Sequence, residues 1–120
     1  MLYLASPYTH GEPRVRQERF EAACRATADL ARAGHVVFSP IVHGHPLVRF
    51  NLPSDRDYWR RFVVEYLRHC SELLVLRLDG WRESRGVQAE IDLAIELGLP
   101  IRYLDPLSPA DANMVQETGK

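Results

Sequence analysis

Four short apolar runs constrain this chain most: "LYLA" at 2–5, "VVF" at 36–38, "LLVL" at 73–76 and "PIRYL" at 100–104. The continuous runs "VVF" and "LLVL" suit strands buried on both faces. Longer stretches with helical period separate them. From Pro13 to Ala33, Phe20, Cys24, Thr27, Ala28 and Ala31 recur at helical spacing, with Pro13 suited to the first turn and Gly34 to the stop. From Asp55 to Cys70 the apolar stripe is Trp59, Phe62, Val63, Tyr66 and Cys70. A third helix starts after Ser84, a capping residue, and ends at Gly98. Residues 41–54, "IVHGHPLVRFNLPS", show no period and are expected to be a long loop.

Strand and helix alternate, which predicts parallel strands joined by right-handed crossovers. The expected fold is α/β: a small doubly wound, flavodoxin- or Rossmann-like parallel sheet of four to five strands with helices on both faces. One domain is expected over 1–105, with a loosely ordered tail over 106–120. In such sheets the ligand lies beyond the carboxyl ends of the strands. That rule gathers "SPYTHGE", "SPIVHGHP" and "DGWRES" around one crevice.

Bulk composition removes several function classes. The formal net charge of -1 over 120 residues gives no basis for binding a nucleic-acid polymer or a membrane surface by bulk electrostatics. No apolar run approaches the ~20 residues of a membrane span, and no charged segment precedes the first apolar run as in a secretory signal. Cys24 and Cys70 have no metal-ligand spacing and read as reduced residues of a cytoplasmic protein.

The chemistry centres on "SRGVQAEIDLAIELG", residues 84–98. On a helical wheel, Val87, Ile91, Ala94 and Gly98 define the inner face. Glu90 lies about 60° from Val87 and about 40° from Ala94, so it shares that face, whereas Asp92 and Glu96 point away. A buried carboxylate costs several kcal/mol unless paired or facing a wet cavity. Glu90 therefore either snorkels or pairs with an arginine, or projects into the crevice as nucleophile or base. At the helix start, Ser84 can cap while offering its hydroxyl, Gly86 permits close approach, and free N–H groups favour an anion. Ser84 and Glu90 are separated by roughly 9 Å of axial rise, a span that suits a nucleotide's 5′-phosphate and anomeric carbon.

These residues resemble a known family. "YLASPY", "GHVVFSPI" and "LDGWRESRGVQAEIDLAIELGLPI" look like the nucleoside 2-deoxyribosyltransferase-like superfamily. "SRGVQAE" is similar to the S-x-G-V-x-x-E motif of its nucleotide N-glycosidase branch, and "GW" with "SPIVHGHP" resembles a little-characterised bacterial and phage group, DUF1937-like. The resemblance implies that Glu90 attacks the anomeric carbon, that Ser84 and Gly86 hold the 5′-phosphate, that Val87 belongs to the substrate-binding motif, and that Ser6, Pro7 and Tyr8 border sugar, phosphate or base. It implies a small-molecule nucleotide or nucleoside as partner, no cofactor and no metal, and a homodimer or larger homo-oligomer. The family often has an aspartate shortly before the third strand. Here that place reads "FVVEYLRHC", with Asp57 and Glu65 nearby but out of register.

Asp79, at the end of the third strand, is the candidate acid for the leaving base; its alternative is a plain Asp-Gly turn. His43 and His45 can contact base or phosphate, and an HxH pair without a third ligand makes a poor metal site. Tyr8 either meets the ligand or packs, and Trp81 is either a wall of the crevice or a surface aromatic. Arg14, Arg16 and Arg19 read as solvated helix charges, one of which could meet phosphate. Two function classes follow: a nucleotide or nucleoside N-glycosidase, with deoxyribosyltransferase as its close variant, and a non-catalytic nucleotide-binding module.

Overall fold

The computed structural model of the chain describes residues 1–53 and 55–106. The expected tail falls almost wholly outside the described residues. The first strand, β1 (Leu2–Ala5), leads through "SPYTHGE" to α1 (Pro13–Arg32) and then to β2 (Val37–Phe38). A short helix α2 (Pro40–Gly44) runs into a 3₁₀ helix (His45–Phe50), followed by α3 (Arg56–Arg68), β3 (Glu72–Leu76), α4 (Arg85–Leu97) and β4 (Ile101–Leu104).

All four strands are parallel, in the order β2-β1-β3-β4. The central pair is in register from Leu2 opposite Glu72 to Ala5 opposite Val75. The chain winds one way from β1 to β2 and the other way from β3 to β4. The point where it reverses, between β1 and β3, is where a doubly wound sheet opens a crevice beyond its strand ends. This is the α/β architecture the strand–helix alternation predicts.

Strand alternation divides the core into two layers. Leu2, Leu4, Leu74, Leu76 and Leu78 form one, covered by Ala22, Ala26 and Leu30 of α1. Tyr3, Ala5, Leu73 and Val75 form the other, with Leu67, Cys70, Val87 and Ala94 from the segments around α3 and α4. α1 thus lies on one face and α3 and α4 on the other.

Three sequence expectations are corrected. The inner face of α1 is not the predicted stripe: Ala23 is buried and Ala22, Ala26 and Leu30 meet the sheet, whereas Ala28 and Ala31 are exposed. Small alanines let the helix lie close to the strands, and Phe20 sits at its edge, half-buried. Of the stripe expected for α3, Cys70, just past the helix, is buried and Val63 and Tyr66 pack half-buried on the core, while the fully buried residue of the helix is Leu67, outside that stripe. Its N-terminal aromatics pack on one another instead, with ring centroids 5.1 Å apart for Trp59 and Phe62 and 5.3 Å for Tyr58 and Trp59. Finally, 40–50 is helical rather than a loop. Ser39 caps it by accepting from the Val42 N–H at 3.1 Å, and Pro40 takes the first helical position. This cap also ends β2 after two residues.

Candidate active site

α4 forms as its sequence dictates. The Ser84 Oγ accepts from the Val87 N–H at 3.2 Å, and Gly98 closes the helix in the left-handed region at φ 72°. Between these caps Val87, Glu90 and Ala94 are buried, while Asp92 and Glu96 are exposed. Glu90 is 6% exposed. It neither snorkels nor meets an arginine: the Tyr3 hydroxyl donates to its Oε2 at 2.5 Å.

Tyr3 comes from the middle of β1 and is fully buried. Its ring lies 5.8 Å from Phe38 of β2, and Phe38 stacks on Tyr66 of α3 at 3.8 Å. This aromatic ladder fixes the phenol, so its hydroxyl meets the carboxylate without a further ordering cost. Burial, followed by the neighbouring Glu90 charge, pushes the Tyr3 pKa well above its ordinary value. The phenol therefore keeps its proton and acts as donor. Burial also raises the Glu90 pKa to about 7, opposed by the Tyr3 hydrogen bond, which favours the carboxylate. A carboxyl group poised near neutrality can serve as base, acid or nucleophile. Tyr3 was not visible as a site residue in the sequence. The signal was a hydroxyl inside an apolar run, since a buried phenol needs an acceptor.

The loop after β1 contributes Ser6, Pro7 and Tyr8. Ser6 is buried and its Oγ has no hydrogen-bond partner among the described residues. Pro7 is fully buried, so its side chain is closed to a ligand. Tyr8 is half-buried, and its hydroxyl lies 2.6 Å from His45 Nδ1. His43, the histidine predicted to bind substrate, is exposed and lies beside Phe38 and Tyr66, with ring centroids at 5.9 and 6.3 Å.

Beyond β3, residues 77–83 line an open cavity of about 420 Å³. Asp79 and Trp81 belong to its wall; Glu90, Ser84 and Tyr8 do not. Asp79 is exposed, and its backbone carbonyl accepts from Arg19 at 3.1 Å. Gly80 has φ 87°, and a Cβ there would meet the Arg19 guanidinium at 2.8 Å. The positive φ selects glycine, and a side chain there would also push the end of Arg19 aside. Trp81 packs against the core beside Tyr103, at 5.6 Å, with the Arg82 guanidinium 5.3 Å over its ring.

Arg19 is more than a solvated helix charge. It donates to the Thr9 carbonyl at 3.0 Å as well as to Asp79, tying the loops after β1 and β3 together. Arg16 donates to the His10 carbonyl, while Arg14 makes only an exposed pair with Glu18.

At the start of α4, Ser84 is half-buried and Gly86 exposed. Among the described residues nothing demands glycine at 86: a Cβ there would meet only the Ser84 Oγ, at 3.9 Å. Val87 is wholly buried and its N–H is taken by the cap, so it offers neither side chain nor amide outward. Cys24 and Cys70 are free thiols. No group of three His, Cys, Asp or Glu side chains that could hold a metal occurs among the described residues. No described helix is long and apolar enough to cross a membrane.

The loop after β1 thus holds a buried hydroxyl with no partner among the described residues, and α4 carries a capped start and a buried carboxyl with its pKa raised to about 7. No curated protein matches the sequence. The family described as a domain of unknown function, DUF1937, matches residues 1–105. That match spans every strand and helix described above, and the chain belongs to the DUF1937 family.

Proposed function

We propose that the protein is a nucleotide N-glycosidase of the nucleoside 2-deoxyribosyltransferase-like type, cleaving the base–sugar bond of a nucleoside 5′-monophosphate. The observation that carries this reading is the Tyr3–Glu90 pair: a buried carboxyl poised at about 7, held by a fixed phenol, on the helix whose start bears the S-x-G-V-x-x-E motif. Glu90 attacks the anomeric carbon through a carboxylate oxygen as the base departs, and water then hydrolyses the glycosyl-enzyme ester. Tyr3 holds the carboxylate in position by donating to Oε2. The second oxygen, Oε1, is left for the sugar. Ser84 donates its hydroxyl hydrogen to the phosphate while its oxygen keeps the cap, and Gly86 leaves the phosphate room. Asp79 is the candidate acid for the leaving base.

A second reading has its own support. Glu90 is 6% exposed, and Asp79 lies in a cavity wall that Glu90 does not share. Those facts favour a nucleotide-binding module without turnover. Incubation of the pure protein with a panel of ribo- and deoxyribonucleoside 5′-monophosphates, followed by chromatography for free base, separates the two. Free base that disappears in Glu90→Gln supports the glycosidase. Tight calorimetric binding with no base released from any nucleotide supports the module. An added second base that exchanges onto the sugar identifies a transferase.

A further inference from the structure

The first turns of α3 stand clear of the core. On a helical wheel Arg56 and Arg60 lie within about 20° of Leu67, the fully buried residue of this helix. Both are nevertheless exposed, as is Arg61. The angle that meets the core at the C-terminal end of the helix meets solvent at the N-terminal end, and there it carries arginine instead of an apolar residue.

Charge in this region departs from that of the whole chain. Residues 49–68 hold five arginines and three carboxylates, a net +2 in a chain of net charge -1. Two of those carboxylates are already engaged. Glu65 pairs with Arg68 at 3.7 Å and with His69 at 3.1 Å, and Asp55 caps the helix by accepting from the Tyr58 N–H at 3.2 Å. Arg56, Arg60 and Arg61 make no ion pair among the described residues. Arg61 lies against aromatic rings instead, 5.2 Å from Tyr58 and 5.0 Å from Phe62. Arg49 does the same over Phe50 at 4.9 Å, and Phe50 is 63% exposed. The Trp59 indole donates to the Pro53 carbonyl at 2.7 Å, which holds the segment after Phe50 against α3. Three residues span at most about 11 Å, so the second arginine–aromatic stack lies close to the first.

Uncommitted guanidiniums beside accessible rings suit a partner with two properties, repeated negative charge and flat faces. Single-stranded nucleic acid has both along one chain. A duplex hides its base faces, and an acidic peptide brings charge without them. A second copy of this chain fits less well. A two-fold contact here would set Arg56, Arg60 and Arg61 against their own counterparts, with only Asp57 uncommitted among the described carboxylates of residues 49–68.

We propose that the N-terminal half of α3, with the segment around Phe50, is a binding surface for single-stranded nucleic acid. Phe50, Tyr58 and Phe62 offer rings to the bases, and Arg56, Arg60 and Arg61 meet phosphates. The net charge of the chain conceals this local contact. It is independent of the nucleotide reading of Glu90.

The test is fluorescence anisotropy of the full chain with a labelled oligothymidylate of about 15 nucleotides, titrated between about 50 and 200 mM salt. Three phosphate contacts give an expected slope of about -2 for log affinity against log salt. Arg60→Gln and Arg61→Gln should each flatten it by about 0.7. Tyr58→Ala should weaken binding about 5- to 100-fold, the worth of one stacked base. A duplex of the same length and polyglutamate should bind at least about tenfold more weakly. Arg14→Gln, an exposed charge on α1, should change neither affinity nor slope. Circular dichroism checks that each variant folds; if Tyr58→Ala does not, the two exposed arginine variants decide.

Absence of binding at about 50 mM salt, equal binding to duplex or polyglutamate, or an equal loss in Arg14→Gln overturns the proposal. A dimer in sedimentation that Arg61→Gln or Tyr58→Ala dissociates assigns the surface to a second copy and overturns it too. An excess of nucleoside 5′-monophosphate should leave the oligonucleotide bound. Displacement would put the oligonucleotide at the Glu90 site and overturn this surface, whereas a protein that binds the oligonucleotide but no monophosphate keeps the surface and loses the nucleotide reading.

Discussion

Two tyrosines five positions apart make nearly the same hydrogen bond in different surroundings. Tyr3 donates to a carboxyl at 2.5 Å inside the core, and Tyr8 meets an imidazole at 2.6 Å on a half-buried loop. The inner pair displaces the poise of its acceptor strongly, to about 7, because burial removes the water that would otherwise stabilise the charge. The outer pair lowers its imidazole through the same cause, assisted by Arg16. Burial thus favours the neutral form in both, yet the consequences differ. A neutral carboxyl holds back a nucleophile, whereas a neutral imidazole fixes the direction of a hydrogen bond. The inner tyrosine holds the carboxyl that the proposed reading makes the nucleophile, and the outer one holds an imidazole on the loop side.

The sharpest way to break the inner pair is Glu90→Gln, which keeps the shape and still accepts from Tyr3. Turnover should fall by at least about a thousandfold. Stability should move the other way. The native Glu90 holds a proton up to about pH 7, whereas in the unfolded chain the group releases it near its ordinary value of 4.5. The native state thus binds more protons between these values, and stability falls as pH rises through that window. Above it the full cost applies, on the order of 3 kcal/mol. Urea denaturation should show Glu90→Gln more stable by that order at pH 8, with the gain nearly gone at pH 4. A variant that is equally stable at pH 8 would contradict the buried charge.

Tyr3→Phe attacks the same pair from the other side. Without the donor, the carboxylate loses the interaction that opposes its desolvation, so the Glu90 pKa rises further. A nucleophile needs its ionised form, and the acid limb of the pH–rate profile should shift to higher pH. The rate at pH 7 should fall about 10- to 100-fold. An unshifted acid limb would place the titrating group elsewhere.

Gly86→Ala tests the helix start between the two regions. A Cβ there meets only Ser84 Oγ at 3.9 Å, so the fold accepts it, and alanine in place of a helical glycine should add about 0.5–1 kcal/mol. The KM for a monophosphate should rise about tenfold, as one lost charge-assisted hydrogen bond would produce, while that for the free nucleoside stays put. Equal changes for both would remove phosphate from this position. The smallest effect is expected at the outer pair: Tyr8→Phe should cost about 1 kcal/mol in urea denaturation at pH 8, the usual worth of one hydrogen bond.

What the sequence revealed follows the same division. α4 was legible end to end, because Ser84, Glu90 and Gly98 each carry a local rule: a cap, a wheel position and a left-handed stop. The parallel sheet was legible because doubly buried runs have one common solution. The inner face of α1 was not, since Phe20 and Cys24 look inward on apolarity alone, while close approach to a sheet selects the alanines beside them. α2 was hidden by its length: five residues show no period, although Ser39 and Pro40 carry the signals of a helix start. The Tyr3–Glu90 and Tyr8–His45 links are long-range pairings, and nothing in the local pattern of either partner announces the other.

One side chain joins the two regions. Arg19 grips the Thr9 and Asp79 carbonyls from α1, the one long helix on its face of the sheet among the described residues. The loops after β1 and β3 are thereby fastened to an element on the opposite side of the sheet from Glu90. Any tilt of α1 carries both loops with it, and Gln17, Phe20 and Glu21 travel on the same rod. On the proposed reading, a contact made at the outer surface of α1 would reach the loops after β1 and β3 through Arg19 before it reached Glu90.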